Sequence, residues 1–249
     1  NNLSSALRKQ GDYATALIYA EKALEIKLKN YPSDHPSVSK YYSNLAHLYS
    51  INKKFEKAEN NYKQALKITE KSYGRNHSNY IADQSEIAGT YMENGEYKRS
   101  LKIYKEAIAT NDKLEIKNIK TDLALKYNLA LNYINLEDIV SSQRVLQQLR
   151  KSISNYGNSV GLFEVDYYLL NAYVLRKIKN FESAKKELDQ AEEILNSTPN
   201  TSEVQFLIID LHYERAKIAL LENNQNKISL GIEELEQAVH SIINLRRGY

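Results

Sequence analysis

Five histidines and a scatter of carboxylates are the residues of this chain that could do chemistry. His35, His47, His77, His212 and His240 stand apart from one another in the sequence. None belongs to a His-x-x-x-His or Glu-x-x-His pair, the spacings that put two metal ligands on one helix face. The acidic pairs Glu192-Glu193 and Glu233-Glu234 read as solvated helix surface. The basic pairs Lys53-Lys54, Lys185-Lys186 and Arg246-Arg247 are short, and acids balance each of them nearby. No glycine-rich phosphate loop and no nucleophile elbow is present. A catalytic site would have to be assembled from isolated residues such as His47 and Glu86. The chain therefore reads as a non-enzyme that needs no cofactor and no metal.

Composition narrows the partners. Lys and Arg number 34 against 31 Asp and Glu, a net charge of +3. That balance is too even to argue for nucleic acid or an anionic membrane. No apolar run approaches the roughly 20 residues of a membrane helix. With no cysteine there is no disulfide framework and no thiolate site. No signal peptide is visible, and a cytoplasmic location is the expectation. The chain opens with Asn1-Asn2 inside a helical stretch, which reads as a piece of a longer protein.

The elements that must position these residues are repeats. Gly11-Asp12-Tyr13, Lys53-Lys54-Phe55, Gly95-Glu96-Tyr97, Glu137-Asp138-Ile139 and Lys179-Asn180-Phe181 recur at a step of 42 residues. Three residues after the aromatic or Ile position stands a small one: Ala16, Ala58, Ser100, Ser142, Ala184. Seven further on come Ala23, Ala65, Ala107, Leu149 and Ala191. A fixed period in this range marks a repeat array. In the second unit Leu45, Leu48 and Tyr49 give a helical stripe over 39–49, and Tyr62, Ala65, Leu66 and Ile68 give another over 56–72. The turn between them falls at Lys53-Lys54, where Gly11 and Gly95 suit a left-handed residue in other units. Most of the 20 tyrosines fall at core positions, with the ring expected inside and the hydroxyl at the helix edge.

Leu45, Ala46, Tyr49, Ala58, Tyr62 and Ala65 resemble the tetratricopeptide motif Leu-Gly-x-x-Tyr…Ala-x-x-x-Phe…Ala. Ile87, Ala88, Tyr91, Ser100, Tyr104 and Ala107 repeat it, and the fourth unit does so with Leu129, Ala130 and Tyr133. The sixth unit is degenerate, with a turn expected at Asn223-Asn224-Gln225-Asn226. The step exceeds the usual unit by about eight residues. Asp34-His35-Pro36-x-Val38 followed by Asn44-Leu45-Ala46 is similar to the long repeats of kinesin light chains and of bacterial multidomain proteins. The resemblance implies an all-α fold, an α-α superhelix (a tetratricopeptide solenoid) of about six helical hairpins. The units would span 1–38, 39–80, 81–122, 123–164, 165–206 and 207–249 as a single array.

The same resemblance implies a concave groove lined by the first helix of each unit. Its positions here are Asn44, His47, Ser50 and Ile51, then Glu86, Gly89, Met92 and Glu93, then Asn128, Leu131, Ile134 and Asn135. Tyr173, Arg176 and Lys177 are the equivalents in the fifth unit. Asn44 and Asn128 match groove asparagines of kinesin light chains. They are either readers of a peptide backbone, able to donate and accept, or solvated polar residues. A carboxylate clamp is incomplete: Arg8 and Lys9 are in place in unit one, but unit three offers Ser85 and Glu86. The function expected is a protein-interaction scaffold that holds a peptide segment or partner domain in the groove. The alternative is the sensor or regulatory input of a larger bacterial signalling protein, with an effector domain elsewhere in the full-length chain.

Overall fold

In a computed structural model, the structure describes residues 2–222 and 225–247, apart from the side chains of Lys9, Gln225, Asn226 and 243–247. The turn expected at 223–226, the Lys9 half of the clamp and the Arg246-Arg247 pair thus lie outside the described residues or side chains. Among the described residues there is no strand.

The chain divides into two compact units, Asn1–Asp138 and Ile139–Tyr249. The first holds α1 (Asn2–Lys9), α2 (Tyr13–Asn30), α3 (Pro36–Ile51), α4 (Phe55–Tyr73), α5 (Ser78–Glu93), α6 (Tyr97–Asn111) and α7 (Ile119–Asn135). The second holds α8 (Ile139–Tyr156), a 3-10 turn (Gly157–Val160), α9 (Phe163–Lys177), α10 (Phe181–Ser197), α11 (Ser202–Leu221) and α12 (Gln225–Arg247). Successive helices pack as antiparallel hairpins within each unit, as the tetratricopeptide pattern requires.

Small residues make the crossings. Ala16, Ala46, Ala58, Ala65, Ala88 and Ala107 are fully or almost fully buried, so paired helix backbones approach closely. Where serine replaces alanine, its hydroxyl finds the facing backbone: Ser100 donates to the Ala88 carbonyl at 2.7 Å. Ala23 departs from the expectation, since α2 leaves it half-buried. Leucines, isoleucines and the Tyr49 ring fill the layers between hairpins. In the second unit the same task falls to Val165, Leu169, Leu188, Leu211 and Ile218. Each fully buried Leu or Ile contributes about 1.5–3 kcal/mol.

The turns share one backbone device. Gly11 and Gly95 have φ of 81° and 80°, and Lys53, Glu137 and Lys179 take the same left-handed region at 58°, 61° and 61°. The conformation is thus required even where glycine is absent, and the three non-glycine residues carry its steric cost. The extra residues of the long unit lengthen the second helix and build the following loop. Pro36 opens α3 as its first residue, and His35 and His77 cap α3 and α5. Each Nδ1 accepts from the backbone N–H two residues on at 3.2 Å. Each ring also packs on the tyrosine four residues before it, Tyr31 or Tyr73, with centroids 4.8 and 4.7 Å apart.

Candidate functional site

The first helices of the hairpins in the first unit bring polar side chains to one face. One depression of about 470 Å³ is lined by Ser4, Ser5 and Arg8 of α1, Ser43, Asn44 and His47 of α3, Tyr62 of α4, and Asp83 and Glu86 of α5. A second, of about 180 Å³, shares His47, Tyr62 and Glu86 with it. It continues past Ser50, Gly89, Met92 and Glu93 to Tyr104 and Asn128. The two form a groove across α1, α3, α5 and α7.

Helical spacing sets this arrangement. Asp83, Glu86 and Glu93 lie three and seven residues apart on α5, so they line one face within about three turns. Their neighbours hold them in place. Tyr62 donates its hydroxyl to Glu86 Oε2 at 3.2 Å, and Ser50 Oγ donates to Glu93 Oε2. Asp83 is buried and accepts from Ser43 Oγ at 3.0 Å and from Thr69 Oγ1 at 2.9 Å. Burial pushes its carboxyl up to about 6 and the nearby Glu86 adds to the rise, although the two hydroxyls pull the other way. The Tyr62 and Tyr104 hydroxyls are pushed above the usual phenol range, first by burial and then by the charge of Glu86.

His47 sits between opposite charges. Its Nε2 lies 3.5 Å from Arg8 Nη1, and its Nδ1 lies 4.0 Å from Glu86 Oε2. A guanidinium only donates, so the contact makes Nε2 the acceptor and leaves the ring proton on Nδ1, facing the carboxylate. Neither pair is tight.

Five of the nine candidate residues, Asn44, His47, Ser50, Glu86 and Asn128, line this groove. Ser50 is itself buried and bound to Glu93. Leu131 and Asn135 lie on α7, half-buried and exposed respectively, and line neither depression. Tyr173 and Arg176 belong to the second unit. Arg176 is only 8% exposed and pairs with Glu214 through two bonds, 2.7 Å from Nε and 3.3 Å from Nη2. Its guanidinium also lies 4.9 Å from the Tyr173 ring centre. Reading the residues alone missed Asp83, Tyr62 and Tyr104. The two tyrosines are 42 residues apart, and their core position hid the fact that both hydroxyls end at the groove.

Among the described residues, no cluster of three or more His, Asp or Glu side chains is placed to hold a metal ion. No helix among them is long and apolar enough to cross a membrane.

Residues 1–71 and 37–113 match the tetratricopeptide repeat family. No curated protein matches the sequence. Solved structures share the fold at low identity. A Podosopora anserina kinesin light chain with nearly identical TPR-like repeats is 22% identical, covering 80% of this chain and 94% of that one, with a TM-score of 0.66. Aspartyl phosphate phosphatase F from Bacillus subtilis is 12% identical, covering 98% and 67%, with a TM-score of 0.70. The Rap conjugation gene regulator of plasmid pLS20, in complex with the Phr* peptide, is 15% identical, covering 98% and 73%, with a TM-score of 0.61.

Proposed function

From the premise that residues 1–113 belong to the tetratricopeptide repeat family, we propose that the chain is a protein-interaction scaffold whose first unit docks a peptide segment of a partner. The observation carrying this reading is the groove, where Asn44, His47, Glu86 and Asn128 come from three helices to line two adjoining polar depressions that share His47 and Glu86. Side-chain amides there can donate to and accept from an extended backbone without demanding one sequence. The reading places the protein in the cytoplasm and gives it no catalysis, nucleic-acid partner or membrane of its own.

Selection of a displayed random-peptide library on the protein tests it. Selected peptides should bind wild type and lose most of their affinity for the Asn44→Ala/Asn128→Ala variant, whose thermal unfolding stays unchanged. Peptides that bind both forms equally would move the interface off the groove.

A second reading makes the same groove the peptide-sensing input of a regulatory protein. The likeness to the peptide-bound Rap regulator across 98% of this chain favours it. In that case a groove-bound peptide should change the affinity of the full-length protein for an effector domain or second partner. Equal affinity with and without peptide argues for the plain scaffold.

A further inference from the structure

Resting on that reading of the groove, we propose that its smaller depression is a pocket for a lysine or arginine side chain of the docked peptide. Two carboxylates face it, Glu86 and Glu93, two helical turns apart on α5. Both are exposed, and each is aimed by a hydroxyl from a neighbouring helix, Tyr62 for Glu86 and Ser50 for Glu93. No lysine or arginine lines this depression. Among the described residues neither carboxylate pairs with one, and the His47 ring stands 4.0 Å from Glu86.

An independent observation lies beneath them. Tyr104 lines the same depression, is 0% exposed, and its hydroxyl has no hydrogen-bond partner. Buried polar atoms are rarely left in that state. Above it stands Gly89, which presents no side chain: a Cβ there would lie 3.5 Å from the Tyr104 hydroxyl. An unsatisfied oxygen therefore lies at the floor of the depression beside two negative charges, with no side chain at Gly89 to cover it.

The occupant that satisfies all three groups is a cationic donor. An ammonium offers three N–H donors and a guanidinium five, and neither accepts. Bonds to the carboxylates would be charge-assisted, and one further N–H would reach the Tyr104 oxygen. A peptide carboxylate would meet like charge here and a neutral side chain would leave both acids unpaired. Generic attraction cannot produce the same preference, because the whole chain carries a net charge of +3.

The test uses acetylated hexapeptides, randomised except for one position fixed as Arg, Lys, Glu or Leu. Binding is measured to wild type, to Glu86→Gln/Glu93→Gln and to Tyr104→Phe, each checked by circular dichroism and thermal unfolding. Wild type should retain the Arg and Lys pools roughly tenfold better than the Glu pool. The double variant should bind all four pools alike, and the Arg and Lys pools more weakly than wild type does. Tyr104→Phe should weaken the charge preference with unfolding temperature unchanged or raised, a combination that a purely structural role would not give. Peptide binding without charge preference, or a preference that survives the double variant, overturns the pocket and leaves the groove reading standing. Failure of every pool to bind overturns both.

Discussion

The inner helices α5 and α9 occupy equivalent places in their repeats, and their exposed faces are built on opposite electrostatic principles. On α9, Arg176 is folded against Glu214 of α11 and over the Tyr173 ring, both partners nearly out of solvent. On α5, Glu86 and Glu93 stand exposed and are bonded only to neutral hydroxyls. The first face has satisfied its charge internally. The second leaves its two carboxylates without a lysine or arginine partner among the described residues. A repeat scaffold can therefore vary one face independently of the core that carries it, since each repeat depends only on its neighbours for stability.

The largest effect should come from breaking the closed face. Arg176→Ala strands the Glu214 carboxylate in a buried site, with only Lys217 at 3.7 Å left nearby. Breaking a buried pair in this way costs about 3–5 kcal/mol, which chemical denaturation would read directly. Glu86→Gln/Glu93→Gln should leave stability within about 0.5 kcal/mol, as exposed sites do. Equal losses from the two variants would erase the distinction between the faces.

The buried carboxyls come next. Asp83 in the first unit and Asp166 in the second are both pushed up to about 6 from an ordinary 3.8, mainly by burial. Glu203 and Asp210 add to the rise at Asp166. A raised value means that the folded state holds a proton the unfolded chain has already released. The stabilisation this gives is complete below about pH 3.8 and lost as pH rises through about 6. Asp83→Asn should therefore match wild type near pH 4 and become more stable than it by about 2–3 kcal/mol above pH 6. Unfolding midpoints across that range check the sign. An advantage that shrinks with rising pH would show that the hydroxyls of Ser43 and Thr69 hold the carboxylate form instead.

The smallest effect tests what the two units share. Lys53 and Lys179 hold the same left-handed turn in different units. Replacing either by glycine should stabilise by roughly 0.5–1 kcal/mol, and by similar amounts, because the strain is local. Unequal gains would mean that one side chain contributes elsewhere, and Lys53 does lie over the Phe55 ring at 5.6 Å.

Much of the fold was legible because its devices are periodic. The 42-residue step, the alanines at the crossings and the tyrosine stripes placed α3 and α4 to within three residues at either end. Pro36 opens α3 three residues before the helical stripe over 39–49, a place where its missing N–H costs nothing. The histidine caps were not legible, because imidazole is outside the usual set of Ser, Thr, Asp and Asn. On the site, Asn44, His47, Glu86 and Asn128 follow from the repeat register once the family resemblance says which helix lines the groove. The state of Arg176 does not, because its partner Glu214 lies 38 residues on, in a sixth unit that has drifted from the pattern. The unsatisfied Tyr104 hydroxyl was equally hidden, since a core tyrosine looks the same in sequence whether or not its oxygen is paired.

Met92 is the single methionine of the 249 residues and lines the smaller depression. Labelled with a 13C-methyl group, it gives a resonance at the centre of the face in question. Titration with an arginine-bearing peptide selected on the protein should shift that signal saturably, at the affinity measured independently, and Glu86→Gln/Glu93→Gln should abolish the shift. A peptide that binds while the Met92 methyl stays where it is would contradict the account.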